Sequence, residues 1–337
     1  MFSVFKFSES VSNGPTSVRH KIETGINVYK GEHYNQIKQI KALTFGEALF
    51  DMIKGSAHLG GAPLNVAVHL AKLGAKPTVV TAVGRDELGE VLRTRTEKMG
   101  IDISYILVDE NRPTGTVTVK LEDEGIPIFT INESVAWDAI TLDEEKFKAL
   151  IGKEWDVFYF GTLAQRSEEN RRTLKRLLLE INANNFFYDV NLRAGFYTKE
   201  WILSSLEHCT ILKMNEEEAA IISDFLFGTV HSCDALCRLL IEEYPEISVI
   251  CITKGPEGAA AYNKGVYEKI KIPPVEVADT VGAGDAFSAG FIYAYLSGYG
   301  VSKATSIACI LGTYVASKSG SVPEYSEKLI KELELAL

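Results

Sequence analysis

Long apolar runs are missing from this chain. Nothing in it approaches the roughly 18 consecutive apolar residues of a membrane-spanning helix, and the first 40 residues lack the apolar core of a secretory signal peptide. Positive charge is also short: Lys plus Arg number 35 against 45 Asp plus Glu, a net charge of −10. That balance argues against a broad nucleic-acid footprint, which needs a basic face, but leaves room for a local basic pocket. Cysteine is scarce and odd in number: Cys209, Cys233, Cys237, Cys251 and Cys309, all in apolar surroundings. Cys233 and Cys237 are one helical turn apart, yet no second pair or histidine cluster completes a zinc site. Buried reduced thiols are the simpler reading and suggest a cytoplasmic protein. Two nucleotide motifs are absent as well. No G-x-G-x-x-G follows the first apolar strand, which disfavours a dinucleotide-dependent oxidoreductase, and no G-x-x-x-x-G-K-[ST] marks a P-loop kinase.

What the chain has is a substantial core and a regular rhythm. It is 337 residues long and 46% hydrophobic, enough for one large α/β domain or two small ones. Residues 1–40 are polar and mixed and read as an N-terminal extension of unclear role. From residue 41 onward apolar strand-like runs (42–50, 77–83, 155–163, 186–192, 210–215, 247–255) alternate with helix-like segments such as Pro63–Leu73, Asp86–Lys98 and 303–318. Strands that alternate with helices and lack a polar face imply a parallel sheet covered on both sides. Right-handed crossovers then give a three-layer αβα sandwich, in which ligands gather beyond the carboxyl ends of the strands. The stretch 116–131 differs: it alternates strictly around an Asp-Glu-Gly turn, so it predicts an antiparallel hairpin that projects as a small β lid.

The most informative string is Asp279-Thr-Val-Gly-Ala-Gly-Asp285, placed between an extended proline-bearing segment and an apolar helix. Gly282, Ala283 and Gly284 let backbone N–H groups converge without Cβ obstruction. They do so at a helix N-terminus, which favours an anion. A carboxylate beside an anion site repels the anion and makes sense if it has a task, namely taking a proton from a hydroxyl that attacks a phosphate. An ordinary glycine turn before a helix would account for four of these residues, but the full string is more specific.

That string resembles the signature of the ribokinase/fructokinase (PfkB) family of sugar kinases, and five further segments match it. Gly60-Gly61-Ala-Pro-Leu-Asn65 is similar to its N-terminal signature, Asp51 ends an apolar run where relatives hold sugar hydroxyls, and Asp189-Val-Asn-Leu-Arg193 resembles the D-x-N-x-R string of the fructokinase branch. Asn215-Glu-Glu-Glu218 resembles the N-x-x-E motif, and Thr253-Lys254-Gly255 with Gly258 resembles the loop under the nucleotide. The resemblance covers about residues 41–325 and implies a ribokinase-like fold. It implies that Asp285 is the general base and that the Gly282–Gly284 backbone forms an anion hole. Asp51, Gly60, Gly61, Asn65 and Arg193 would bind sugar, while Asn215, Thr253, Lys254, Gly255 and Gly258 would bind ATP. Glu218 would hold magnesium through water, and Asp279, or the nearby 317–320 run, would stand by a monovalent cation such as potassium.

Fructose is the favoured acceptor, with ribose, 2-keto-3-deoxygluconate, nucleosides and a non-catalytic sugar sensor as alternatives. Val135-Ala-Trp-Asp138 also looks fructokinase-like. The connection from Asp51 to Gly60 is shorter than in many relatives, so the lid is expected to rest on the 116–131 hairpin. Its alternating Val117, Val119 and Leu121 need a partner surface, which a second subunit would supply in a lid-to-lid homodimer.

Overall fold

The computed structural model describes residues 39–53, 56–121, 127–193 and 195–337, all within one compact unit, Gln39–Leu337. The N-terminal extension up to Lys38 and the 122–126 turn lie outside the described residues. The chain runs through β1 (Lys41–Phe45), β2 (Leu49–Ile53), β3 (Ser56–Gly60), α1 (Ala62–Lys72), β4 (Lys76–Gly84), α2 (Glu87–Lys98), β5 (Ile106–Asp109), β6 (Gly115–Leu121) and β7 (Pro127–Ile131). It continues through α3 (Glu144–Ile151), β8 (Glu154–Trp155), β9 (Val157–Gly161), α4 (Glu168–Glu180), β10 (Asn182–Ala183), β11 (Phe186–Asp189), α5 (Lys199–Leu206) and β12 (Ile211–Asn215). The last third comprises α6 (Glu216–Phe227), α7 (Cys233–Glu243), β13 (Val249–Thr253), β14 (Ala259–Asn263), β15 (Val266–Ile270), α8 (Ala283–Leu296), α9 (Val301–Ala316) and α10 (Glu327–Ala336).

Nine strands form one sheet in the order β15-β14-β13-β12-β11-β9-β1-β4-β5. From β5 to β13 every neighbouring pair is parallel, and β14 and β15 add an antiparallel edge. The apolar strands are buried on both faces, as their sequences require. Val80 and Ala82 of β4 join one core with residues of α3 to α7, whereas Val79 and Val83 join a second with Leu64 and Val68 of α1 and Leu92 of α2. This period of two sorts every strand residue onto one face or the other. It matters most on β11 and β12: Tyr188, Leu212 and Met214 enter the first core, so Asp189 and Lys213 face the opposite side. There Ser288 of α8 meets Asp189.

The apolar run 42–50 is not one strand. It breaks at Gly46, whose φ of 142° sits where a side chain is strained and whose Cβ would lie 2.8 Å from Pro63 Cγ. The second half becomes β2 and leaves the central sheet for a four-stranded sheet, β3-β2-β6-β7. Asp51 therefore lies on the small sheet, opposite His58 of β3 and Val117 of β6, and not at the end of the first central strand. The short Asp51–Gly60 connection is itself a hairpin that supplies half of this sheet. The predicted 116–131 hairpin forms as β6 and β7 and does not carry the lid alone. Val117 needs no second subunit, because it packs with Leu49, Val135, Trp137 and Leu163 of its own chain. The side chains of Val119 and Leu121 lie outside the described residues.

Candidate active site

A cavity of about 700 Å³ opens where the carboxyl ends of β11, β12 and β13 meet the N-terminal ends of α1 and α8 and the inner face of the small sheet. Asp51, Gly61, Asn65, Arg193, Asn215, Glu218, Thr253, Lys254, Gly255, Gly282, Gly284 and Asp285 all line it. Residues far apart in the chain thus share one wall.

Its centre is the start of α8. Gly282, the N-cap, has φ 77°, and a Cβ on it would lie 2.6 Å from the Cα of Ser321, so only glycine fits there. Ala283 N–H donates to Thr280 O at 3.3 Å, so its amide is spent on the turn. The amides of Gly282, Gly284 and Asp285 find no acceptor in the described protein, as expected for a helix's first turn. The open donors are therefore these three, and the expectation that Ala283 contributes its own is corrected. Asp285, 8% exposed, sits in this first turn. Its Oδ2 accepts a 2.8 Å hydrogen bond from Asn65 Nδ2 across 220 residues of sequence. Asn65 is held in turn, because Ser321 Oγ donates to its Oδ1 at 3.2 Å. Burial pushes the Asp285 carboxyl up to about 6, with Asn65 and the charges of Lys213 and Arg193 resisting and Asp189 adding to the rise. At neutral pH it is an ionised, poorly solvated carboxylate, and hence a competent proton acceptor.

Two further acids share the acceptor end. Asp51 is raised by burial, with Arg193 and His58 opposing, and its Oδ2 would lie 2.5 Å from a Cβ on Gly60. Gly60 thus makes room for Asp51 and does not itself line the cavity. Glu47, missed in the sequence, is buried behind Gly61 and accepts from Ala62 N–H at 3.2 Å, the first amide of α1. Burial pushes it up to about 7 against the pull of Arg193. The one signal in the sequence was its place next to Gly46 in an otherwise apolar run.

At the other end Asn215 and Glu218 form a reciprocal cap on α6. Asn215 Oδ1 accepts from Glu218 N–H, and Glu218 Oε2 accepts from Asn215 N–H, both at 2.8 Å, while Glu218 Oε1 takes Leu192 N–H. Burial raises the Glu218 carboxyl, with Lys213 pulling it down. Lys254 pairs with Glu216. Gly258 (φ 95°) faces Ile270 O and serves the backbone turn, away from the cavity wall. Asp279 also stands outside the wall: its two oxygens accept from Val281 N–H and Gly320 N–H and tie the two loops together. Val135-Ala-Trp-Asp138 turns out to be scaffold, with Trp137 fully buried and Asp138 paired to Arg166. Asn191 (φ 37°), the Asn of the D-x-N-x-R string, lines the cavity, as does Lys213, which was not singled out from sequence.

A buried carboxylate beside free helix-terminal amides, at the strand ends of a parallel sheet, defines a phosphotransferase with an alcohol acceptor. The comparisons with known proteins agree. Residues 34–328 match the profile of the pfkB family carbohydrate kinases, and the chain belongs to this family. It is 31% identical over 264 residues to the fructokinase of Escherichia coli, spanning 75% of this chain and 83% of that one. The fold is similar to the crystal structure of a fructokinase double mutant from Vibrio cholerae bound to fructose, ADP and potassium (TM-score 0.75, 20% identity, 89% of this chain and 100% of that one). It is also similar to aminoimidazole riboside kinase from Salmonella enterica (TM-score 0.71, 22% identity, 86–87% of this chain and 98–99% of that one).

Proposed function

We propose that this carbohydrate kinase transfers the γ-phosphoryl group of ATP to a hydroxyl of a neutral sugar, D-fructose foremost, giving fructose 6-phosphate and ADP. The observation that carries the reading is Asp285, held by Asn65 at the mouth of open amides inside the cavity. The sugar oxygen forms a bond to the γ-phosphorus and loses its proton to Asp285. The bond from that phosphorus to the β–γ bridging oxygen breaks, and its electron pair stays on ADP. Such transfers pass through a loose transition state, so placement and charge dominate. The amides of Gly282, Gly284 and Asp285 face the oxygens of the transferred group. Asp51 accepts sugar hydroxyls, which a carboxylate does in pairs, and Arg193 reaches the same end. Lys254, Thr253 and Gly255 border the nucleotide end.

Three carboxyl groups, Glu47, Asp51 and Asp285, face the acceptor end against the single guanidinium of Arg193. That balance favours a neutral polyol over a sugar acid such as 2-keto-3-deoxygluconate. Ribose and nucleosides stay as the second reading, since a riboside kinase shares the fold. The presence of Asp285 and both glycines speaks against a non-catalytic sensor.

Magnesium fits as a companion of the triphosphate. Among the described residues no cluster of three or more acids, histidines or cysteines could hold a metal alone. Glu216, Glu217 and Glu218 nonetheless border the nucleotide end, which suits an ion that keeps its waters and needs few protein oxygens. When bound, it would neutralise the β- and γ-oxygens. A monovalent cation near Asp279 and a lid-to-lid homodimer belong to the same reading. So does a cytoplasmic setting, supported by five unpaired cysteines.

The test is ADP release from purified protein over fructose, ribose, 2-keto-3-deoxygluconate and adenosine. Fructose is expected to give the highest kcat/KM. A tenfold preference for ribose or a nucleoside would overturn the fructose assignment, and release that no acceptor stimulates would overturn the sugar-kinase mechanism.

A further inference from the structure

Beneath the first turn of α8 lies an ion pair that the mechanism above leaves unused. Lys213 Nζ stands 2.9 and 3.2 Å from the two oxygens of Asp189. The lysine is 5% exposed and the aspartate fully buried. Asp189 Oδ2 also accepts from Tyr159 OH and Ser288 Oγ at 3.0 and 2.9 Å, whereas Lys213 supplies the hydrogen bond to Oδ1. A buried ion pair is a weak stabiliser, because the desolvation of both charges offsets their attraction, and apolar residues of similar size would serve folding as well. The pair therefore calls for another use.

Its position supplies one. Lys213 lines the cavity. A Cβ built on Gly284 would lie 3.0 Å from its Nζ, so the ammonium is packed against the very turn whose amides are open. Both of its protein hydrogen bonds go to one carboxylate, and an ammonium has three donors. At least one N–H is uncommitted at the wall. Of the three cations lining the cavity, Lys254 is taken by Glu216 and Arg193 sits at the exposed acceptor end. Lys213 attracts both Asp285 and Glu218. Burial alone would lower its affinity for a proton, but Asp189, Glu218 and Asp285 together hold it above the ordinary lysine value, so it stays charged.

We infer that Lys213 is a further catalytic residue, which donates a charged hydrogen bond to an oxygen of the phosphoryl group in transit, and that Asp189 is the positioning residue that aims it. This rests on the sugar-kinase reading. Lys213 would make its contact with the γ group and none with ADP.

The experiment compares Lys213→Met with wild type by calorimetry, using MgADP and the magnesium complex of the non-hydrolysable ATP analogue AMP-PNP, and by turnover on the preferred sugar. Turnover is expected to fall by about 10²–10³, the usual effect of losing one transition-state donor. Affinity for AMP-PNP should fall about tenfold, with ADP affinity within about twofold of wild type. The double variant Lys213→Met/Asp189→Asn removes both charges and guards against misfolding. If Lys213 only holds the fold together, a folded double variant will turn over near the wild-type rate, and that result overturns the inference. An equal loss of ADP and AMP-PNP affinity overturns it too. If wild type binds neither nucleotide, the kinase reading fails first, and the two failures are told apart.

Discussion

Replacing Asp285 by Asn should make this protein slower and more stable at once. Asn keeps the size of the side chain and an oxygen for the 2.8 Å bond from Asn65, but it cannot take a proton. Loss of a positioned base costs about 10²–10⁴ in kcat, or about 3–5 kcal/mol of barrier at 1.4 kcal/mol per decade. Stability moves the other way. Burial raises the carboxyl from 3.8 to about 6, so the folded state holds the proton more tightly than the unfolded chain. The stability this represents is complete below pH 3.8 and is lost as the pH rises through about 6. At pH 7.5 the ionised group therefore costs the fold up to about 3 kcal/mol, which neutral Asn avoids. The variant is expected to melt a few degrees higher than wild type at pH 7.5, and the gain should shrink to about half at pH 5. Sugar KM should change little. Coupled ADP-release kinetics and thermal melts at the two pH values read all of this. Near-normal turnover would refute the assignment of the base, and a lower melting temperature at pH 7.5 would refute the burial argument.

Asp51→Ala should raise sugar KM about tenfold or more with a small effect on kcat, because it touches hydroxyls away from the transferred group; an unchanged KM removes Asp51 from the sugar site. Gly282→Ala is expected to abolish turnover and lower the melting temperature, since the new methyl meets Ser321 at 2.6 Å in a left-handed backbone, and a normal melt would contradict that geometry. For wild type, kcat/KM should fall below about pH 6 as Asp285 protonates. A second, shallower step near pH 7 comes from Glu47. Burial holds Glu47 higher than Asp285, about 7 against about 6, so the aspartate ionises first and Glu47→Gln should erase the upper step and leave the lower one in place; a variant that keeps the upper step and loses the lower one would reverse the order of ionisation.

The sequence by itself determined the alternation of strands and helices, the parallel sheet and the turn before α8. These depend on near neighbours: apolar runs, caps such as Asn215 with Glu218, and glycines that tolerate left-handed backbone. Only the tertiary structure decided which residues meet. Asn65 reaches Asp285 over 220 positions, and nothing local to either shows it. The break at Gly46 sent Asp51 to the small sheet, and Pro63, seventeen places on in sequence, leaves no room there for a side chain in place of the glycine. Glu47 and Lys213 read as a stray acid and a strand lysine until the two-residue period of β12 and the packing of α1 and α8 brought them to the cavity. The protonation of Asp285 was beyond the sequence for the same reason, since a carboxyl's proton affinity is set by how much water several distant segments jointly exclude.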